Sequence, residues 1–587
     1  MRNKSERAGV ESIGFSSQNT VGLFGKWCAS ILNKPIYLTF FVCIGLLVTL
    51  SAHAQDLEIE EDGEVQTGEI VIEKDRKIVL PQARKLYEKV QSPEFESEAV
   101  SIPAKFKTFS YNPAVQLPDL KAAQPENDGT KEDIYDHYVK AGFGNFTSPL
   151  LQADFNLITD DTKVFRAKLD HLSFGNGAKD GKNSASSYSD VGVDGKIVGD
   201  NMTFSTGVGY TTTTDYFYGY QPGLEIDREN IRHKYDFLRA SIGVEDNDAE
   251  NEVDYALAVR YNSVKDNYSA SESGVTIGTG FNYTKTFFVD GEFIFSKYDQ
   301  NTFSLNRNFF RINPYYRLLA GGVTVDAGFS FTSAAANGEP FGSSAVFPFG
   351  RANYAVSDYV DLFARLDGGI SFNSYEGYAR ANPYLMQDLL VNNSRVNYDF
   401  MAGAALKANE SFSIKVHVGL QSVKNMEHFR SVLPDTTTFE VTYIPGNTKI
   451  LELGSKVQVN INDQNQVALN AAILNYSSKD LDEFYHLPTS KIELTGEHGM
   501  MDKLTIGWQF NLLGGINGLQ SNGTAPGSES TVKLAAITEL NLYFDYQINE
   551  RVGAFLQFNN ILNKNYERYI NYPMRGLQVK AGASFRF

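Results

Sequence analysis

Side chains that could perform acid–base or nucleophilic chemistry are scattered along this sequence rather than grouped. None of the seven histidines after residue 54 lies in a G-x-S-x-G or H-E-x-x-H context, the spacings that present a nucleophile on a sharp turn or two metal ligands on one helix face. A serine, histidine and carboxylate brought together across loops stays open as an alternative, because such a site needs no local motif. We therefore predict that the protein is not an enzyme and binds no cofactor. The seven are His137, His171, His233, His417, His428, His486 and His498.

Metal coordination has one candidate, the carboxylate-rich stretch of residues 245–252. Its side chains could supply the oxygen ligands that Ca²⁺ prefers. The stretch lacks the spacing and the bend glycine of an EF-hand loop, so we interpret it as a solvated acidic turn and predict no metal site. Thiolate sites and disulfides are not expected either, because both cysteines, Cys28 and Cys43, lie in an N-terminal segment that we expect to be removed.

Aromatic side chains form two candidate groups for ligand contact. The first, within residues 216–220, could stack on a sugar or an aromatic ligand, but interfacial girdles of membrane barrels use the same residue types, and we favour a girdle. The second lies in residues 373–395, which we predict to be a long extracellular loop and the best candidate for ligand contact. The first group is Tyr216, Phe217, Tyr218 and Tyr220, and the second is Tyr375, Tyr378, Arg380 and Tyr384.

From residue 134 onward, apolar and polar side chains alternate with the period of a β-strand. Every odd position from Leu577 to Phe587 is apolar, and the even positions between them are polar or glycine. Charged groups placed so regularly require water, so we expect the polar face to line a wet lumen and the apolar face to contact lipid. The pattern predicts an all-β protein, a large closed antiparallel transmembrane β-barrel over residues 134–587.

The connections between these strands alternate in length. Every second one is a short turn, such as residues 320–322, and those between are longer and more aromatic, notably 218–233, 373–395, 421–447 and 517–530. Short turns on one rim and long loops on the other are typical of outer-membrane barrels. The segments predict about 22 strands, with 20 or 24 left open around Phe287 and residues 426–447. An even number places both termini on the short-turn rim, which we assign to the periplasm.

The first 133 residues differ from the rest of the chain. Residues 37–50 form an apolar run that ends in Ser51-Ala52-His53-Ala54, the pattern of a signal peptide cleaved after Ala54; an anchor helix is the alternative. Residues 55–133 open with an acidic run and hold six of the 18 prolines, which predicts an extended periplasmic segment rather than a packed core. With a net charge of −17, the chain is not expected to bind nucleic acid.

Residues 555–587 resemble the last two strands of TonB-dependent receptors. The matching features are Asn560-Ile561-Leu562-Asn563-Lys564-x-Tyr566, then Tyr572-Pro573 with Gly576, and the aromatic terminus. The resemblance implies a barrel in outer-membrane lipid, with Phe585 and Phe587 as the signal for the barrel-insertion machinery. Upstream, Glu69, Ile70, Val71 and Ile72 resemble the TonB box, which works by adding a β-strand to a TonB-type periplasmic protein; an ordinary short strand is the alternative.

The plug domain of TonB-dependent receptors has no counterpart of the same size here, because residues 55–133 are too few. A 22-stranded barrel has a lumen wide enough to need filling. We expect residues 55–133 to fold inward as a reduced plug, or loops such as 373–395 and 421–447 to do so, or a partner to close the barrel. The expected function is passage or uptake of a solute, with a TonB-type protein or a surface lipoprotein as candidate partners. A structural subunit of an outer-membrane complex and a passive porin are the alternatives.

Overall fold

The structure is a computed structural model. It describes residues 137–160, 162–221, 223–248, 252–336, 344–409, 411–433, 437–462, 464–501, 503–521 and 529–587. The predicted signal peptide (1–54), the acidic segment (55–133) and the TonB-box-like residues 69–72 lie outside the described residues. In the part of the chain described, no helix is long and apolar enough to cross a membrane.

A single antiparallel sheet of 22 strands closes on itself. The first strand pairs with both the second and the last, so the sheet has no free edge. This confirms the predicted barrel and its strand number. The strands are β1 (His137–Gly144), β2 (Ser148–Asp160), β3 (Lys163–Phe174), β4 (Ser186–Val198), β5 (Met202–Tyr216), β6 (Arg232–Asp246), β7 (Val253–Asp266), β8 (Ser271–Tyr283), β9 (Phe287–Asp299), β10 (Ser304–Ala320), β11 (Val323–Ala336), β12 (Ser344–Ser357), β13 (Val360–Ser371), β14 (Ser394–Asn409), β15 (Phe412–Ser431), β16 (Phe439–Asn462), β17 (Asn465–Ser478), β18 (Ser490–Met500), β19 (Leu504–Gly514), β20 (Asn517–Ser521), β21 (Glu529–Lys533), β22 (Ile537–Gln547), β23 (Val552–Asn559) and β24 (Gln578–Arg586). All but β20 and β21, which pair as a separate hairpin, belong to the barrel.

Side chains on the wall alternate between lipid and lumen, as the sequence pattern predicted. On β15, Val416, Val418 and Leu420 point outward, with 43, 45 and 46% of their surfaces exposed. Between them, Lys415 and His417 line a cavity on the inside of the barrel. The apolar outer face is stable in lipid, and the charged inner face is stable in water. A closed barrel with a wet interior provides both environments, and this explains why the sheet closes.

Charges on the lumen face pair across neighbouring strands. Arg166 on β3 donates to Asp154 on β2 at 3.0 Å, and Arg317 on β10 donates to Asp326 on β11 at 2.7 Å. Each pair satisfies two charged groups inside the barrel, as buried or half-buried charges require.

The two rims have the predicted asymmetry. The connections predicted to be short turns all lie on the rim where β1 begins and β24 ends. For example, β10 and β11 are joined by Gly321 and Gly322, whose φ angles of +57° and +81° favour glycine. The opposite rim carries the long loops. These contain a helix α1 (Tyr375–Ala381) and two 3-10 helices, Gly181–Ser184 and Arg228–Ile231.

The prediction of a loop over residues 421–447 was wrong. Strands β15 and β16 have 20 and 24 residues and continue as a paired ribbon on the long-loop rim. The register shifts between Lys424 and Met426, and Asn425 has a φ of +59°, so the ribbon bends there. At its tip Phe439 is 0% exposed and bridges to Leu385 of another loop. The register shift interrupts the alternation of the wall, while one face of the ribbon packs on protein and the paired Arg430 and Glu440 keep 37 and 36% of their side chains exposed.

Candidate functional site

Three long loops cross the mouth of the barrel and meet there. They are the β5–β6 loop (residues 217–231), the β13–β14 loop (372–393) and the β23–β24 loop (560–577). Around the wall, eight strands separate the first loop from the second, eight separate the second from the third, and six separate the third from the first. Loops spaced so evenly on a ring can contact one another only across its opening.

The contact is made by Tyr218, Tyr384 and Tyr572, one from each loop. The rings of Tyr384 and Tyr572 stack with centroids 3.6 Å apart, and Tyr218 stands edge-on to Tyr572 at 4.8 Å. Tyr572 is 1% exposed, and its hydroxyl donates to the carbonyl of Thr437 beside the ribbon. We call this aromatic core, with the loops that supply it, the loop cap. Its other buried members are Ala185, Tyr216, Phe217, Tyr220, Ile231, Phe439, Ile516, Leu534, Ile537, Tyr566, Tyr569 and Ile570.

The β23–β24 loop is shaped by asparagines in the stretch that resembles TonB-dependent receptors. Asn560 and Asn563 both have a φ of +50°, which asparagine tolerates better than most residues. The side chain of Asn560 donates to the carbonyls of Lys564 and Arg575 at 2.9 and 3.0 Å, and that of Asn563 accepts from the amide of Leu577 at 2.8 Å. These bonds close the base of the loop, so its tyrosines project into the loop cap.

The β13–β14 loop is held at both ends by one buried arginine. Arg307 on β10 is fully buried and donates to the carbonyl of Asn373 at 2.6 Å and to the side chain of Asn393. Glu272 on β8 lies 3.8 Å from the guanidinium, and the ring of Phe372 lies 4.2 Å from its centre. The loop is therefore attached to the wall by a charge that water does not reach.

The residues predicted to contact a ligand from this loop do not converge on one surface. Tyr375, Tyr378 and Tyr384 are buried, and the hydroxyl of Tyr375 donates to Asp266 at 2.7 Å. Arg380 keeps 36% of its side chain exposed. The tyrosines thus attach the loop to the wall and to the loop cap, and ligand contact by the loop stays a prediction.

The aromatic group at residues 216–220 is not a membrane girdle, so that prediction was wrong. All four of its predicted members are buried in the loop cap. Sequence alone does not distinguish the two cases, because aromatic residues at a rim can turn outward to lipid or inward over the mouth. Outward-facing aromatic residues do lie near the short-turn rim, namely Tyr255, Tyr283, Phe287, Tyr354, Tyr359 and Tyr546.

Two other predicted features have a place in the structure. Phe585 on β24 and Phe587, which follows it, are 44 and 45% exposed, and His137 and Phe587 close the seam of the barrel through backbone hydrogen bonds. Their role in membrane insertion stays a prediction. In the acidic turn, Glu245 bonds to Lys196 at 3.1 Å, and no metal-binding group of three or more side chains occurs among the described residues.

A buried histidine packs against the loop cap. His486, from the β17–β18 loop, packs its ring against Phe439 and Tyr569 with centroids 5.1 and 5.3 Å apart. Neither ring nitrogen has a hydrogen-bond partner among the described residues. Burial, with a smaller contribution from the nearby positive charge of Arg568, lowers the pKa of His486 to about 3. The packed loop cap therefore requires the neutral imidazole.

Acid should loosen the loop cap through this histidine. A base whose pKa is lowered by folding stabilises the folded form fully above its ordinary pKa near 6.5, and this stability is lost as the pH falls toward 3, at about 1.4 kcal/mol per unit. We expect open probability in planar bilayers to rise between pH 7 and pH 4.5. In His486→Leu the rise should be smaller, and the remainder is expected from His428 in the ribbon, because burial lowers its pKa to about 4. An identical acid response in both proteins would contradict this assignment.

Beneath the loop cap, a cavity of about 710 Å³ lies against the lumen wall. Its wall comes from β14 to β19 and β22, and its upper side from Tyr566, Arg568 and Met574 of the β23–β24 loop. Its volume is within the range of small-molecule sites. The charged lining residues are the cations Lys415, Lys456, Lys491 and Arg568 and the anions Glu452, Glu493 and Glu539, and both signs occur on β16 and on β18.

Each carboxylate of this cavity makes at least one polar contact with a neighbouring side chain. Glu452 lies 3.1 Å from Nε2 of His417, and Glu539 accepts a hydrogen bond from the hydroxyl of Tyr566. Glu493 accepts from the amides of Gln509 at 2.9 Å and Asn470 at 3.1 Å. The alternation of polar and apolar residues on β15 predicted that Lys415 and His417 face the lumen. Which charged residues of other strands lie beside them depends on the register between strands, and no local sequence pattern encodes that register.

No protein-family model and no curated protein matches this sequence. Solved structures do match. The ferric-catecholate import receptor Fiu of E. coli K12 has a TM-score of 0.56 and 12% identity, with 78% of this chain and 82% of that chain covered. The siderophore receptor PiuA of Acinetobacter baumannii has a TM-score of 0.57, 10% identity and the same coverage. The FrpB iron transporter of Neisseria meningitidis (F5-1 variant) has a TM-score of 0.58 and 10% identity, with 78 and 83% covered. At these identities the likeness shows the fold: the chain has the barrel architecture of these receptors.

Proposed function

We propose that this chain is an outer-membrane transport protein whose barrel passes a solute when the loop cap opens. The observation that carries the proposal is the meeting of Tyr218, Tyr384 and Tyr572 across the mouth of a closed 22-strand barrel. The charged lumen offers a wet path, and the loop cap obstructs it on one side. The likeness to iron and siderophore receptors supports a transport role for the barrel.

The orientation and the partners belong to the same proposal. The short-turn rim, with both ends of the barrel chain, faces the periplasm, and the loop cap faces the outside, as in other outer-membrane barrels. Residues 69–72 offer a strand to a TonB-type protein, which would couple opening to energy. The packed loop cap favours this gated barrel over an open passive porin, since a porin needs no aromatic core across its mouth.

Conductance of the full chain in planar bilayers tests the function. We expect low conductance from the native protein and large openings when residues 372–393 are replaced by a short Gly-Ser linker, because one of the three contacting loops is then missing. The matched control inserts two glycines beside Gly321 on the opposite rim and should behave as the native protein does.

Two results would contradict a gated transporter. Equal, large conductance of all three proteins would indicate a passive porin. No conductance from the shortened loop, even after residues 55–133 are also deleted, would indicate a structural subunit. If the variant with the shortened loop conducts only after that deletion, the proposed gate is supported and residues 55–133 form a second barrier.

A further inference from the structure

A row of polar side chains crosses six neighbouring strands inside the cavity. Backbone pairing aligns each member with the next: β15 with β16, β17, β18, β19 and β22 in turn. Strands lie about 4.8 Å apart, so the row spans roughly 24 Å of wall. Its members in order are Lys415, Lys456, Asn470, Glu493, Asn511 and Glu539.

At one end of this row, two lysines lie side by side although their like charges repel. Lys415 and Lys456 are direct partners on paired strands and face the same side, which is destabilising for like charges. Lys491 lies two strands from Lys456 and lines the same cavity. Lys415 lies over the ring of Phe363, with Nζ 4.3 Å from the ring centre. Three lysines thus line one cavity, with Glu493 two residues from Lys491 on the same face of β18.

These lysines differ from many other cations of the lumen in lacking a carboxylate partner. Arg166, Arg317 and Arg365 each have a carboxylate oxygen within hydrogen-bond distance. In the described chain, the ammonium groups of Lys456 and Lys491 have no hydrogen bond or ion pair. The carboxylates nearby already accept hydrogen bonds from protein groups. These carboxylates keep their charge and further acceptor sites, so the groups that an anion could use are the ammonium donors of Lys456 and Lys491.

Apolar side chains, together with Arg568 and Tyr566, line the side of the cavity nearest the loop cap. Leu513 on β19 and Ile537 on β22 continue the row of Lys491 toward Met574 of the β23–β24 loop. A ligand held by the lysines would place the rest of its body against these side chains. Apolar surface with a few charged groups to fix orientation is the usual composition of a small-molecule site.

We propose that this cavity binds an organic anion, a carboxylate, sulfate or phosphate with an apolar body. The charged group is held by Lys456 and Lys491, with Lys415 adding to the local positive potential, and the apolar body lies against Leu513 and Ile537. The inference rests on the proposed function in one respect, that the bound anion is the solute to be transported. Binding itself requires no opening of the loop cap, because the cavity faces the lumen.

Equilibrium dialysis of the full chain in phosphatidylcholine nanodiscs tests the site, with empty nanodiscs correcting for lipid uptake. The probes are 2-naphthoate and its neutral counterpart 2-naphthamide. We expect one saturable naphthoate site, at least tenfold weaker binding of naphthamide, and weaker naphthoate binding as KCl rises from 50 to 500 mM. The double variant Lys456→Gln with Lys491→Gln should lose tenfold or more in affinity for naphthoate.

The matched control is Lys196→Gln, which removes a lumen lysine on β4 that has a carboxylate partner, Glu245. It should bind naphthoate as the native protein does, and heat-modifiable migration on SDS gels should show that all variants fold. Equal binding of the two probes, or unchanged binding by the double variant, overturns the proposal. This assay measures binding and not conduction. A negative result here would therefore not contradict the gated transporter, and a negative result in the conductance experiment would not contradict the anion site.

Discussion

Replacing Tyr572 by alanine is expected to open the barrel to molecules outside the cell about a hundredfold more often than in the native protein. The ring is 1% exposed, stacks on Tyr384 at 3.6 Å and meets Tyr218 at 4.8 Å, so its removal leaves a void where three loops meet. Truncating a buried aromatic ring costs about 3–5 kcal/mol, and about 3 kcal/mol corresponds to roughly a hundredfold change in an equilibrium.

A single reporter thiol can measure this opening. Both cysteines of the sequence, Cys28 and Cys43, lie in the predicted signal peptide, so Asn470→Cys would add the one thiol of the processed chain, within the lumen cavity. A membrane-impermeant maleimide added to intact cells would label it at a rate proportional to the open fraction.

Two matched variants show whether the ring itself is responsible. Tyr572→Phe keeps the ring and loses the hydrogen bond to Thr437, so we expect a smaller increase in labelling than for alanine. Tyr359→Ala removes an outward-facing ring at the opposite rim, 58% exposed, and should leave the rate unchanged. Equal labelling of native protein and Tyr572→Ala would mean that the tyrosine cluster does not control access.

Arg307→Met should release the β13–β14 loop from the wall. The guanidinium holds Asn373 and Asn393 at the two ends of the loop, and its removal leaves Glu272 buried without its countercharge. Breaking a buried pair in this way costs about 3–5 kcal/mol, comparable to the loss of Tyr572. We expect residues 372–393 to become sensitive to added protease on intact cells, and labelling of the reporter thiol to rise by a similar factor of about a hundred.

A second substitution separates the charge from the packing. Arg307→Met combined with Glu272→Gln removes both charges, so it should recover a good part of the native protection, whereas Glu272→Gln alone should have a smaller effect than Arg307→Met. If the double variant is as exposed as Arg307→Met, the ion pair is not the cause and the hydrogen bonds to the loop ends carry the attachment.

Strand positions and the rim asymmetry were predictable because they depend on local features. A side chain on a strand faces lipid or water according to odd or even position, so the pattern from Leu577 to Phe587 indicates both strand and orientation. The ribbon of β15 and β16 was not predictable in this way. It extends beyond the wall, and the register shift between Lys424 and Met426 interrupts the alternation.

The loop cap and the lysine row depend on contacts that no local pattern encodes. Tyr218 and Tyr384 are 166 residues apart in sequence, and their contact requires closure of the whole sheet. Lys415 and Lys456 meet because of the register between their two strands. A shift of that register by one residue would turn one of them to lipid.

The amino-acid sequence by itself determined that the chain forms a closed all-β barrel of about 22 strands with short turns on one rim. It could do so because alternation and turn composition act over a few residues. The tertiary structure decided that tyrosines from three distant loops obstruct the mouth, and that lysines from three strands line one cavity beneath them. Both depend on which segments closure brings together, and therefore on the ring of strands as a whole.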